Sequence, residues 1–285
     1  MAIEFTSLGA KPNPNGNLLI VDGLNLAFRW KHQKKEFFKV EYVRTVESLA
    51  KSYNAGNIII AADGGSSYRK DILPSYKANR KEKYAEQTPQ EEKEFAMFMA
   101  EFSNTLTLLK EKYPVFQFKG VEADDIAAYI SMNLDKYGLD ECWMVSSDKD
   151  WDLLINDRVS RFSTVTRKET TVHNWDEHYD FEIPDYITFK CLTGDKGDNV
   201  PGIPGIGPKR AVQLMEQYGD VFDIYDACPI DGKYKYIQNL NENAEQLLMN
   251  VELMDLVTYS EQAIGEQNIE VINSTLKRHL NENRL

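Results

Sequence analysis

Three short apolar runs in this chain each lead to an aspartate. Residues 18–21 (LLIV) precede Asp22, residues 57–62 precede Asp63, and residues 142–145 pass through Ser146 and Ser147 to Asp148. Runs this short, bounded by turn residues, read as buried strands rather than helices. Helical patterns lie between them. Tyr42, Val46, Leu49 and Tyr53 share one face over residues 40–53. Thr88, Pro89 and Glu91 read as N-cap, N1 and N3 of a helix whose stripe carries Phe95, Phe98, Met99, Phe102, Leu106 and Leu109. Another helix is expected over 122–136, and short strands over 115–118 and within 159–172. Strands alternating with helices require crossover connections, so the expected class is α/β with a mostly parallel central sheet. Ligands of such sheets bind beyond the carboxyl ends of the strands. Asp22, Asp63 and Asp148 are therefore expected along one edge.

Further acids accompany these three. Glu122, Asp124 and Asp125 stand in VEADD at a helix start, Asp150 in SSDKDWD, and Asp195 and Asp198 in GDKGD. Taken singly, each could be a turn former, an N-cap or a complement to a helix dipole. Together they differ. Two carboxylates ~6 Å apart at an effective dielectric of ~20 repel by roughly 3 kcal/mol, so a site holding all nine requires cations. Oxygen donors without His or Cys select Mg²⁺ or Mn²⁺ over zinc. A pair of such ions ~3.5–4 Å apart is a known device for phosphodiester cleavage.

The net charge of −12 argues at first against a nucleic-acid partner. Setting aside the nine acids leaves the remainder close to neutral, so local patches decide. Cys142, Cys191 and Cys228 form no CxxC pair, and His32, His173, His178 and His279 show no spacing of a metal site or triad. No apolar run approaches the ~20 residues of a membrane span. No export signal opens the chain, and a cytoplasmic location is expected. Residues 1–16 read as a flexible tail.

The order Gly202-Ile-Pro-Gly205-Ile-Gly207 suggests a hairpin between helices, with Ile203 and Ile206 packed inward and backbone amides open to a phosphate. Lys209 and Arg210 follow in the first turn of the next helix. The bland alternative is a tight turn with Gly207 as N-cap. Residues 64–84 carry Arg69, Lys70, Lys77, Arg80, Lys81 and Lys83 interleaved with Tyr68, Tyr76 and Tyr84, a pattern suited to phosphates and unpaired bases. A weaker version runs through Arg29, Lys31, Lys34, Lys35 and Lys39. A boundary near Phe181 divides a sheet region, 17–182, from a helical region, 183–285.

The motifs IVDGLNL, YKANRKEK, GVEADD, SSDKDWD and GDKGDNVPGIPGIGPKRA resemble the 5′-nuclease/flap endonuclease family, including the 5′-nuclease domain of bacterial DNA polymerase I. The stand-alone bacteriophage enzymes are the most similar branch. The resemblance runs from about Leu18 to Val257. It implies a PIN-like 5′-nuclease core, a helical arch over 64–112, and a helix-hairpin-helix around 201–218. It implies one ion on Asp63, Glu122 and Asp124, assisted through water by Asp22 and Asp125, and a second on Asp148, Asp150, Asp195 and Asp198. Lys77 and Arg80 match the family's catalytic lysine and neighbouring arginine, with Asp22 beside them. DNA contacts are implied for Tyr76, Lys77, Arg80, Lys81, Lys83, Gly202, Gly205, Gly207, Lys209 and Arg210. The carbonyls of Pro201, Ile203 and Ile206 are implied to hold K⁺ at a duplex phosphate. The implied enzyme is a monomeric flap endonuclease and 5′→3′ exonuclease of DNA replication, acting in the bacterial host if phage-encoded. A PIN-type ribonuclease and a catalytically silent junction-binding protein are the alternatives.

Overall fold

The computed structural model describes residues 14–284, so the expected tail enters it only at Pro14–Gly16, which form a short 3₁₀ turn; the rest of that tail lies outside the described residues. The sheet region contains β1 (Asn17–Asp22), α1 (Gly23–His32), α2 (Lys39–Ser52), β2 (Asn57–Ala61), α3 (Ser67–Ile72), α4 (Ala78–Ala85), α5 (Pro89–Lys110) and β3 (Val115–Phe116). It continues with α6 (Ala123–Met132), α7 (Leu134–Tyr137), β4 (Glu141–Val145), β5 (Val159–Phe162) and β6 (Glu169–Thr170). The six strands lie in the order β3-β2-β1-β4-β5-β6, and only β6 is antiparallel.

β1 reads as an unbroken apolar run because both faces of the sheet are covered. Leu19 and Val21 point to one side with Ile58 and Ile60, where α1, α2 and α5 supply Leu26, Tyr42, Val46, Phe102 and Leu109. Leu18 and Ile20 point to the other side, against Ile126 and Ile130 of α6. Burying each such side chain is worth about 1.5–3 kcal/mol, and a one-residue slip would exchange the two cores.

α5 starts where its capping box predicts: Thr88 accepts from the Glu91 N–H, and Glu91 reaches back to the Thr88 N–H. The helix expected over 122–136 is two, because the Asn133 side chain hydrogen-bonds the Tyr129 carbonyl between α6 and α7. The arch expected over 64–112 is shorter than expected. Buried Phe98, Phe102, Leu106 and Leu109 fix the second half of α5 in the first core, and α3 packs on the C-terminal helices.

Those helices are α8 (Tyr186–Thr193), α9 (Pro208–Tyr218), α10 (Val221–Ala227), α11 (Lys235–Glu242), α12 (Ala244–Met254), α13 (Leu256–Ile264) and α14 (Glu266–Arg284). A two-residue ladder, β7 (Gly194–Asp195) with β8 (Val200–Pro201), sits between α8 and α9. A third core unites Leu192, Ile203, Ile206, Leu214, Ile224, Leu240, Leu247 and Val251. α13 and α14 return to the sheet, where Leu256, Ile264, Ile272, Leu276 and Leu280 join the α6 core. The division near Phe181 therefore separates segments in sequence that are interleaved in packing. No helix among the described residues is long and apolar enough to cross a membrane.

Candidate active site

The parallel register delivers the strand-end acids to one edge. Asp22 ends β1 and caps α1, accepting from the Asn25 N–H at 3.1 Å and from Ser146 Oγ at 2.7 Å. Burial pushes this carboxyl up to about 8, and Asp63 and Asp148 add to the shift. Asp63, two residues beyond β2, accepts from the Ala123 N–H at 3.0 Å, which ties it to the start of α6. Desolvation raises it too, although the residue keeps contact with solvent. Asp124, in the first turn of α6, accepts from the Trp151 indole N–H. It is held well above the carboxylate range by burial and then by Asp148. Asp148 follows β4 and caps a 3₁₀ turn, Lys149–Leu154, by accepting from the Asp150 N–H at 3.0 Å.

A second set is paired. Lys190 of α8 is buried and donates to Asp150 and, at 3.1 Å, to Asp195. Burial raises Asp150 to about 6 despite Lys190, while Asp195, where burial acts the same way, is held low by Lys190 and the Gly197 and Asp198 N–H groups. Lys77 donates to Glu122 and lies 3.4 Å from Asp198, and Arg80 pairs with Asp198 at 2.7 Å. Burial would raise Glu122, but Lys77 and Arg69 outweigh it.

The structure thus brings Asp22, Asp63, Glu122, Asp124, Asp148, Asp150, Asp195, Asp198, Lys77 and Arg80 to one edge. Among the described residues, Asp22, Asp63, Asp124 and Asp148 form no ion pair. Among the described residues no three side chains already form a cage for an ion, and lysine and arginine cations occupy the remaining carboxylates. The donor set nevertheless suits hard cations: it is all oxygen, and three of the four unpaired acids are pushed toward protonation by burial and by neighbouring carboxylates. A cavity of about 10 Å³ is lined by Asp124, Asp150, Asp195 and Asp198. That is close to the ~10–15 Å³ needed for a single water.

Three expectations change. Asp125 is turned to Arg69, which takes both its oxygens at 2.7 and 2.8 Å, with both residues buried. Arg69 is correspondingly no phosphate clamp; it also bonds Glu122 and the Leu253 carbonyl. Tyr76 cannot stack on a base, since it is 4% exposed and its hydroxyl donates to Asp198 at 2.7 Å. Lys83 is exposed on α4, and the Lys81 side chain lies outside the described residues.

The glycine hairpin has its own geometry. A Cβ on Gly202 would lie 2.3 Å from the Thr193 carbonyl carbon, so only glycine fits there, and Gly205 adopts φ +87°. Gly207 caps α9 with Pro208 at N1, while Ile203 and Ile206 are buried. Arg210 folds back onto the Gly205 carbonyl and over the Tyr236 ring, leaving Lys209 exposed beside it. The Pro201 carbonyl accepts from Asn250 at 2.8 Å and the Ile203 carbonyl from the Ile206 N–H at 3.0 Å.

Lys190 and Ser146 escaped the sequence reading. The available signal for Lys190 was a lone lysine on the apolar face of a short helix, five residues before Asp195.

Comparison with known proteins gives two family models. The "5'-3' exonuclease, N-terminal resolvase-like domain" matches residues 17–180, and the "5'-3' exonuclease, C-terminal SAM fold" matches residues 182–275. The flap endonuclease of Escherichia phage T5 is 44% identical over 264 residues, covering 92% of this chain and 90% of the relative. A crystal structure of the bacteriophage T5 flap endonuclease, in a pseudo-enzyme-product complex with DNA and metal ions, superposes with a TM-score of 0.88. It is 41% identical and covers 93% of this chain and 99% of that one. DNA polymerase I of Rhizobium leguminosarum is 32% identical over 67% of this chain and 18% of its own length.

Proposed function

The chain belongs to the 5′-3′ exonuclease family, and on that premise we propose that it is a divalent-metal-dependent 5′ nuclease that cuts DNA at 5′ flaps and 5′ ends. The observation that carries the proposal is the single edge on which four unpaired carboxylates meet three internal cations. Asp22, Asp63, Glu122, Asp124, Asp148, Asp150, Asp195 and Asp198 would hold two Mg²⁺ or Mn²⁺ ions; Asp125 would act by holding Arg69. When bound, such ions activate water and stabilise the leaving 3′ oxygen.

The protein's own side chains do the rest. Lys77 and Arg80 stand at the mouth with their charges on Glu122 and Asp198. Cations entering the acidic edge would release both for the scissile phosphate, where fixed positive charge stabilises the transition state. Asn25 and Ser146 hold the Asp22 carboxylate in place. The hairpin at Gly202–Gly207, with Lys209 beside it, would hold a duplex phosphate through backbone N–H groups, with K⁺ on the carbonyls of Pro201, Ile203 and Ile206. Such contacts position a duplex without reading its sequence.

The deciding experiment compares a 5′-flap DNA, its RNA counterpart and a blunt duplex, each with Mg²⁺ or EDTA. Mg²⁺-dependent release of the DNA flap is expected. Preference for the RNA flap would favour a ribonuclease, and binding without cleavage would favour a junction-binding protein.

A further inference from the structure

The segment 75–80, which leads into α4, is tied to the loop of Asp195 and Asp198 by two kinds of bond. One kind ends on carboxylates. Lys77 pairs with Glu122 and, at 3.4 Å, with Asp198, while Arg80 and the Tyr76 hydroxyl each reach Asp198 at 2.7 Å. The other kind ends on peptide carbonyls. Asn79 Nδ2 donates to the Lys196 carbonyl at 2.9 Å and to the Gly197 carbonyl at 3.3 Å. Asn199 Nδ2 donates to the Ser75 carbonyl at 2.7 Å, and the Lys77 N–H to the Asp198 carbonyl at 2.8 Å. The two asparagines cross, each holding the other's backbone, and their attachments on the segment, Ser75 and Asn79, lie two residues to either side of Lys77.

This crossing has costs. Lys77 and Asn199 both adopt left-handed backbone, with φ of +55° and +59°, which residues other than glycine keep only where their surroundings enforce it. Asn79 Oδ1 is buried without a hydrogen-bond partner. Turning the amide over would not satisfy it, because the oxygen would then face the two carbonyls. Strain and an unmet acceptor beside a reacting group point to function. On the 5′-nuclease reading Glu122 and Asp198 are ion ligands, so every bond of the first kind is given up when Lys77 is needed at the phosphate. The bonds to carbonyls use no carboxylate and survive. A released lysine side chain regains its rotamers, and its backbone position alone then confines it to the site. We propose that Asn79 and Asn199 are positioning residues for Lys77, holding its backbone in register with the Asp195–Asp198 loop once the ion pairs have opened. The assignment rests on the 5′-nuclease reading and adds the groups that keep its lysine in place.

The test uses the full chain with Asn79→Ala, which suits a helix, and separately with Asn199→Gly, which keeps the left-handed backbone accessible while removing the bond to Ser75. Three quantities are measured in the parent and in a Lys77→Ala background: single-turnover cleavage of a 5′-flap DNA in Mg²⁺, flap affinity in Ca²⁺, and melting temperature with and without Mg²⁺. Each variant should lose about tenfold in rate, with flap affinity and the Mg²⁺-induced shift in melting temperature unchanged. In the Lys77→Ala background the same substitutions should lower the rate by no more than about twofold, because their effect passes through Lys77. An unchanged rate in a folded variant overturns the assignment of that asparagine. Losses that multiply with the loss from Lys77→Ala overturn the proposal as a whole, since a merely structural effect would add independently. Loss of the Mg²⁺ shift also overturns it, by assigning the asparagines to the acid-bearing loop instead. The two substitutions break different bonds of the crossing, so either alone decides. A parent protein that cuts no flap DNA in Mg²⁺ refutes the nuclease reading itself, which is a separate result.

Discussion

Asp22→Asn should remove a defined part of the pH dependence of stability. Asn is isosteric with Asp, so its carbonyl can keep the bond from the Asn25 N–H and its amide can meet Ser146 Oγ. In the folded protein without divalent ions Asp22 is pushed to about 8, against an ordinary 3.8. The sign follows from proton counts. Between those values the unfolded chain has lost the proton and the folded one keeps it, so stability falls as pH rises, by about 1.4 kcal/mol per pH unit from this one group. From pH 5.5 to 7.5 that amounts to about 3 kcal/mol, or roughly 5–10 °C in melting temperature for a domain of this size.

Asp63, Asp124 and Asp150 are raised in the same sense, so the total slope of the parent protein is larger. They remain in the variant, and the difference between the two slopes isolates Asp22. The assay is thermal unfolding in EDTA at closely spaced pH values, repeated in 10 mM Mg²⁺. In EDTA the parent should lose stability toward high pH more steeply than the variant. In Mg²⁺ the parent's slope should flatten, because the ion takes the place of the protons. Parallel slopes for parent and variant in EDTA would refute the argument that Asp22 is held protonated by burial.

Lys77→Ala should lower the single-turnover cleavage rate by on the order of 10²-fold with little change in flap affinity, the signature of a charge acting on the transition state; an unchanged rate would remove Lys77 from the chemistry. Lys190→Met strands Asp150 and Asp195, each with its side chain 22% exposed, and should cost about 3 kcal/mol, the low end for a broken buried pair. Mg²⁺ should restore most of that loss, as seen by urea unfolding with and without the ion. Arg69→Met strands Asp125, which is 1% exposed, and leaves Glu122 with Lys77 as its remaining cation, and should cost about 3–5 kcal/mol. No metal rescue is expected for Asp125, which is turned to Arg69, so full rescue by Mg²⁺ would place that carboxylate among the ion's ligands.

What the sequence discloses and what it hides follow from how local each determinant is. The strands, their parallel order and the strand-end acids were legible because a run such as LLIV before Asp22 carries its burial and its turn within a few residues. The capping box at Thr88 was legible for the same reason. The fate of the basic residues was not. Arg69, Lys77 and Arg80 stand within one polar stretch, yet Arg69 is 3% exposed against Asp125 while the Arg80 side chain is 49% exposed. Nothing within the stretch separates them, because Arg69's carboxylate partners lie 53 and 56 residues away. Tyr76 failed likewise: alternation of tyrosine with lysine suggests a stacking surface, but its ring is claimed by the third core and its hydroxyl by Asp198. The same non-local pairing explains how a dense acidic edge folds before any ion arrives. Lys77, Arg80 and Lys190 neutralise the half contributed by Glu122, Asp150, Asp195 and Asp198, and burial shifts Asp22, Asp63 and Asp124 toward protonation. On the metal-dependent reading, ion entry would expel protons from one half and free lysine and arginine side chains from the other, so binding should release more protons near neutral pH than well above the value of about 8 to which Asp22 is pushed.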